Sequence, residues 1–132
     1  MRRVGDEPEG VKIEGRVIVW YARGFLTRTM VLSAHDAIAS HLAAEPGMFD
    51  FLFDGSAMQA FESGTPALST LRMPRYRGRL RRIAIVVTRN PMLAAARTVT
   101  YLLPWLPVGV FLTRAEADAF LARDRRSTKR TA

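Results

Sequence analysis

Six arginines (Arg72, Arg75, Arg77, Arg79, Arg81 and Arg82) occupy eleven consecutive positions, with Tyr76 among them and no acidic residue between. A guanidinium presents a rigid fork of donors that matches phosphate, and it stacks on aromatic faces and bases. In an extended chain Arg75, Arg77, Arg79 and Arg81 would share one face, a pattern suited to phosphate contacts. The same charges also suit an acidic protein or an anionic membrane surface, and they equally suit a solvated connection that keeps a sheet edge from pairing. No helix-turn-helix, RRM or KH signature accompanies them. Nucleic acid therefore stands as an alternative partner, behind a protein. If the charges only solvate a surface, replacing Arg75, Arg77 and Arg79 together by serine should leave folding intact.

The other reactive side chains do not assemble into a catalytic pattern. His35 and His41 are six residues apart, whereas two ligands on one helix face need a spacing of four. Asp50 and Asp54 are four apart in a strand, so their backbones stand about 13 Å from one another, too far for a paired acid and base. Ser56 lacks the G-x-S-x-G elbow, and no histidine follows His41. Neither GxxxxGK[ST] nor GxGxxG occurs, and the chain has no cysteine. No catalytic residue, metal or cofactor is expected. Tyr101, Trp105 and Leu106 form an apolar cluster around Pro104 and Pro107, read either as core packing or as a dimer patch.

A chain of 132 residues suits one domain able to bury a substantial core. Residues 1–70 carry six basic and nine acidic groups, and residues 71–132 carry fourteen basic and three acidic, so all of the +8 net charge lies in the second half. That asymmetry fits an anionic partner, although eighteen of the twenty basic residues are arginine, as a genome-wide bias would also give. No signal peptide is seen after Met1, and the stretch from Val99 to Leu112 is too short and too broken by proline to span a bilayer. A cytoplasmic protein is expected.

These side chains must be positioned by elements that the apolar pattern outlines. Val11 to Tyr21 reads as two strands around Gly15. Met30, Ala34, Ala37, Ile38, His41 and Leu42 mark a helix from Thr27 onward, which Pro46 and Gly47 stop. Phe49, Phe51 and Phe53 form a short strand ended by a turn at Asp54-Gly55-Ser56, and a weaker helix covers roughly 59–73. Ile83 to Val87 is a buried strand, a helix starts at Asn90-Pro91, Val108 to Leu112 is the last strand, and Thr113 with Glu116 opens a last helix. The order β-β-α-β-α-β-α-β-α predicts an α/β domain: a single mixed, mostly parallel sheet of about five strands packed against about four helices. Residues 1–10 read as a loose leader, 11–123 as the domain and 124–132 as a basic disordered tail.

In this order, the strand ending in Gly24 with Leu26-Thr27, FLFD at 51–54, RIAIVV at 82–87 with RNPMLAAARTVTYLLP after it, and VGVFLTRAEADAFLA at 108–122 resemble the STAS superfamily, the SpoIIAA-like anti-sigma-factor-antagonist domains. The resemblance spans residues 11–123. It implies a non-enzymatic regulatory or protein-interaction module, working through a protein partner or self-association. In the antagonists a partner kinase phosphorylates a serine of an Asp-Ser-Ser-Gly motif at the start of the second helix. Ser63, before Gly64, takes that position here, with Glu62 in place of aspartate, one serine missing and Pro66 following. Many bacterial STAS-like proteins lack the motif. Others resemble lipid-binding Sec14-type domains, which adds an apolar ligand as a further alternative.

Overall fold

The computed structural model describes the backbone of residues 9–131, and the side chains of these residues except at 90, 91, 101, 102 and 123–131. Five strands form a single sheet in the order β1-β2-β3-β4-β5. They are β1 (Gly10–Glu14), β2 (Val17–Leu26), β3 (Phe49–Phe61), β4 (Leu80–Val86) and β5 (Val108–Phe111). β1 pairs antiparallel with β2, and every later pair is parallel. The intervening helices are α1 (Arg28–Ala44), α2 (Thr65–Arg72) and α3 (Asn90–Leu102), and α4 (Arg114–Thr131) follows β5. A one-turn 3-10 helix, Met73–Tyr76, extends α2.

Because each parallel crossover is right-handed and each new strand is added on the same side, α1, α2 and α3 all lie on one face of the sheet. Alternation along the strands then divides the core in two. Ile18, Trp20, Phe51, Ile83, Ile85 and Val87 face α1–α3, where Val31, Ile38, Met92 and Ala96 cover them. Val19, Leu52, Ala84 and Val86 face α4 and meet Ala117 and Leu121.

Local chemistry sets the ends of the elements. Thr27 is the N-cap of α1, its Oγ1 accepting the backbone N–H of Met30 at 3.2 Å, so the helix starts at Arg28. The buried stripe of α1 is Val31, Ala34, His35, Ile38 and Leu42, rotated slightly from the predicted one, so His35 and not His41 points inward. Thr113 Oγ1 accepts the N–H of Glu116 at 3.2 Å and donates to its Oε1 at 3.0 Å, the cap that opens α4. The backbone of 124–131 continues this helix.

The predicted turn at Asp54-Gly55-Ser56 is absent. Asp54 Oδ1 does accept from the backbone N–H and hydroxyl of Ser56, at 3.1 and 2.6 Å. Yet β3 continues to Phe61 because β2 runs beside it as far as Leu26, accommodated by register shifts between Tyr21 and Arg23 and between Gly24 and Phe25. Gly55 is required there by space: a Cβ would stand 2.8 Å from the Phe53 ring and 3.0 Å from the Val86 carbonyl oxygen. The second helix therefore begins at Thr65, not near 59.

Candidate functional site

The arginine segment is not an extended cationic face. Its residues fall on the end of α2, the 3-10 turn, a bend and the first residues of β4, so their side chains diverge. Arg79 donates to the carbonyls of Gly47 at 2.8 Å and Glu45 at 2.5 Å. Arg16 reaches the same loop from β2's approach, bonding the carbonyls of Pro46 and Met48 at 3.0 and 2.8 Å. Together these two guanidiniums satisfy the carbonyl of Glu45, the C-cap of α1, and those of the loop that follows, beside a helix C-terminus whose dipole favours cations. Arg81 forms a bidentate pair with Asp50, at 3.0 and 2.8 Å, and the Asp50 side chain is only 1% exposed. Arg82 lies 4.3 Å from the centre of the Phe120 ring and donates to the Phe120 carbonyl. The segment thus anchors the loop at 45–48, β3 and α4 to β4. Arg75 and Arg77 are exposed, Arg77 standing 5.5 Å from the Trp105 ring.

Tyr76, expected among the arginines as a stacking surface, is instead a core residue, 3% exposed. Its ring stacks on His35 with centroids 5.7 Å apart and 8° between planes. His35, 2% exposed, sits on the inner stripe of α1. Its Nδ1 is 2.7 Å from Tyr76 Oη, its Nε2 is 2.9 Å from Ser69 Oγ on α2, and Tyr76 Oη donates to the His35 carbonyl at 3.2 Å. Trp20 packs edge-on against the imidazole. Burial, then the nearby charges of Arg72 and Arg75, push the His35 pKa down to about 4 against a smaller opposing effect of Asp36, so the ring is neutral near pH 7. Burial raises the Tyr76 pKa. This trio joins α1, α2 and the 3-10 turn.

Next to it, a partly open apolar cavity of about 100 Å³ lies between α2, α3 and the strands β2–β4. The polar side chains among its lining residues are Trp20, Thr65, Ser69 and Thr70.

Ser63 is exposed, one residue before Gly64, the N-cap of α2. Gly64 has φ 86°, the left-handed region that favours glycine. A Cβ there would lie 3.2 Å from Nη2 of Arg28, so that guanidinium stands against the turn holding Ser63. The neighbouring Glu62 accepts the backbone N–H of Arg28 at 2.8 Å, capping the start of α1. Two helix N-termini and an arginine therefore converge beside Ser63. Leu71, on α2, is 78% exposed.

The remaining candidates separate. The side chain of Tyr101 lies outside the described residues. Leu106 is buried in the core and Trp105 is half-buried beneath Arg77, so the pair presents no open apolar patch. Asp50 and Asp54 face α4, not one another: Asp54 approaches Arg114 at 3.7 Å, and Arg114 also bonds Glu14, Tyr21 and Asp118, each at 3.0 Å. Burial alone would lower the Arg114 pKa, but these bonds raise it. No group of three metal-ligating side chains and no helix long and apolar enough to cross a membrane occurs among the described residues.

No family model and no curated protein matches the sequence. Solved structures do match the fold. An uncharacterised protein of the DUF3478 family with a SpoIIAA-like fold, from Shewanella loihica PV-4, superposes with a TM-score of 0.62 at 19% identity, over 85% of this chain and 90% of that one. The chain has the SpoIIAA-like fold. The anti-sigma factor antagonist SpoIIAA in its unphosphorylated form superposes with a TM-score of 0.58 at 16% identity, over 85% of this chain and 96% of that one.

Proposed function

We propose that the protein is a regulatory, protein-binding module that acts without catalysis, with the start of α2 as its partner surface and Ser63 as its phosphoacceptor. The observation that carries this reading is the surroundings of Ser63: an exposed hydroxyl one residue before the Gly64 cap, with the Arg28 guanidinium against the same turn. A phosphate there adds up to two negative charges beside an arginine and two helix N-termini, which stabilises the modified state and reverses the sign of the local surface. The solved structure of SpoIIAA, an antagonist described in its unphosphorylated form, shares the fold and lends the reading its partner class. The exposed Leu71 and the nearby Arg72 and Arg75 suit a partner with an acidic rim around an apolar contact. Residues 11–123 form the binding unit.

The test is mass spectrometry of the protein isolated from its own cells, together with capture of its binding partner by wild type, Ser63→Ala and Ser63→Asp. A single phosphate mapped to Ser63, and a partner retained by wild type and Ser63→Ala but bound at least tenfold more weakly by Ser63→Asp, are expected. An unmodified Ser63 together with equal binding by all three forms refutes the reading.

A further inference from the structure

The hydroxyls that line the cavity beside His35 can accept hydrogen bonds but have no proton to give. Three contacts link His35, Tyr76 and Ser69, and a neutral imidazole, a phenol and a serine hydroxyl bring three protons to them. Only one arrangement gives each contact a proton. Tyr76 Oη–H donates to the His35 carbonyl, His35 Nδ1–H donates to Tyr76 Oη, and Ser69 Oγ–H donates to Nε2. In the other tautomer Tyr76 would need two protons. Thr65 and Thr70 have also committed theirs, to the carbonyls of Glu62 at 2.9 Å and Pro66 at 2.7 Å. The three hydroxyls that line the cavity therefore show it only lone pairs.

Shape and lining define the rest of the ligand. Trp20, Phe51, Phe53 and Phe61 surround the cavity with aromatic rings, whose faces and edges favour another ring. Met58, Met73 and Met92 complete the wall with flexible thioethers that adjust to an irregular guest. No charged side chain lines the space, so an ionised guest would be desolvated without compensation. A volume of about 100 Å³, open on one side, is close to the roughly 150 Å³ of a dry apolar cavity that takes up benzene, and is far too small for an acyl chain.

From these observations we infer that the cavity is a binding site for a neutral, single-ring molecule of phenol's size that carries one hydrogen-bond donor, which Ser69 Oγ accepts. The inference does not rest on the role of Ser63, although Thr65 and Pro66 of the cavity lining open the same helix.

The test titrates the intact protein with phenol, anisole and decanoate while following the methionine methyl resonances by NMR. Phenol should shift Met58, Met73 and Met92 saturably and leave Met30 and Met48 unmoved. Anisole, the same ring without the donor, should bind about fivefold more weakly, in line with the net worth of one hydrogen bond. Ser69→Ala should lower phenol affinity by a similar factor and leave anisole unchanged; the phenol–anisole comparison stands without that variant should it not fold. Linear, non-saturating shifts, equal affinity for phenol and anisole, or tighter binding of decanoate would each overturn the inference.

Discussion

Acid should destabilise this protein through His35, and the size of the effect follows from its surroundings. In the unfolded chain a histidine titrates near 6.5, whereas burial and the charges of Arg72 and Arg75 bring the folded value to about 4. The folded state therefore binds the proton less well than the unfolded state. Between those two values the unfolded chain carries more protons, so stability rises with pH and is lost as pH falls from about 6.5 toward 4. The gap is worth on the order of 3 kcal/mol when complete, most of it lost by pH 4.5. Urea unfolding of wild type at pH 7 and pH 4.5 would show this as a midpoint lowered by roughly 1–2 M. Carboxylates titrate in the same range, so His35→Asn supplies the reference: it should be less stable than wild type at pH 7, yet show a pH slope shallower by about that amount. Parallel slopes for wild type and His35→Asn would refute the account of a neutral, buried imidazole.

Four further substitutions test how the arginines and Gly55 serve the fold. Asp50→Asn removes the buried carboxylate of the Arg81 pair and should cost on the order of 2 kcal/mol by denaturant unfolding; the cost falls below that of a fully buried pair because Arg81 keeps partial access to water. Arg79→Ser removes the donors to Gly47 and Glu45 and should lower stability by about 1–2 kcal/mol, whereas Arg75→Ser should stay within about 0.5 kcal/mol of wild type, measured in the same way. Gly55→Ala forces a Cβ against the Phe53 ring and the Val86 carbonyl and should cost about 1–3 kcal/mol, read as a lowered melting temperature by calorimetry.

The elements were legible where apolar spacing alone decides them. The β-branched run at Ile83–Val87, the helix after Thr27 (though not its exact buried stripe) and the Thr113–Glu116 cap appear where their patterns place them, and the right-handed rule converts their order into the observed sheet. Local signals misled where a long-range partner overruled them. Asp54-Gly55-Ser56 has the residues of a turn and even its characteristic Asp–Ser bond, yet the neighbouring β2 holds the chain extended through it. Spacing likewise suggested that Arg75, Arg77, Arg79 and Arg81 share a face. That inference required an extended chain, and the 3-10 turn at Met73–Tyr76 followed by a bend removed the premise.

The polar trio shows a different kind of illegibility. His35 was within reach of the sequence: it falls three before Ile38 and four after Val31, on the apolar stripe of α1, and a histidine there must find partners within the core. Those partners could not be named in advance, because Ser69 and Tyr76 lie 34 and 41 residues away and reach it only once α2 and its 3-10 extension cross α1. Tyr76 is the instructive case. Its arginine neighbours made it look like a surface aromatic, but in a turn of three residues each side chain points its own way, so Arg75 and Arg77 can stand in water while Tyr76 turns inward. The charge density of the segment is thus carried by residues flanking its buried member, which through His35 orients the Ser69 hydroxyl of the cavity.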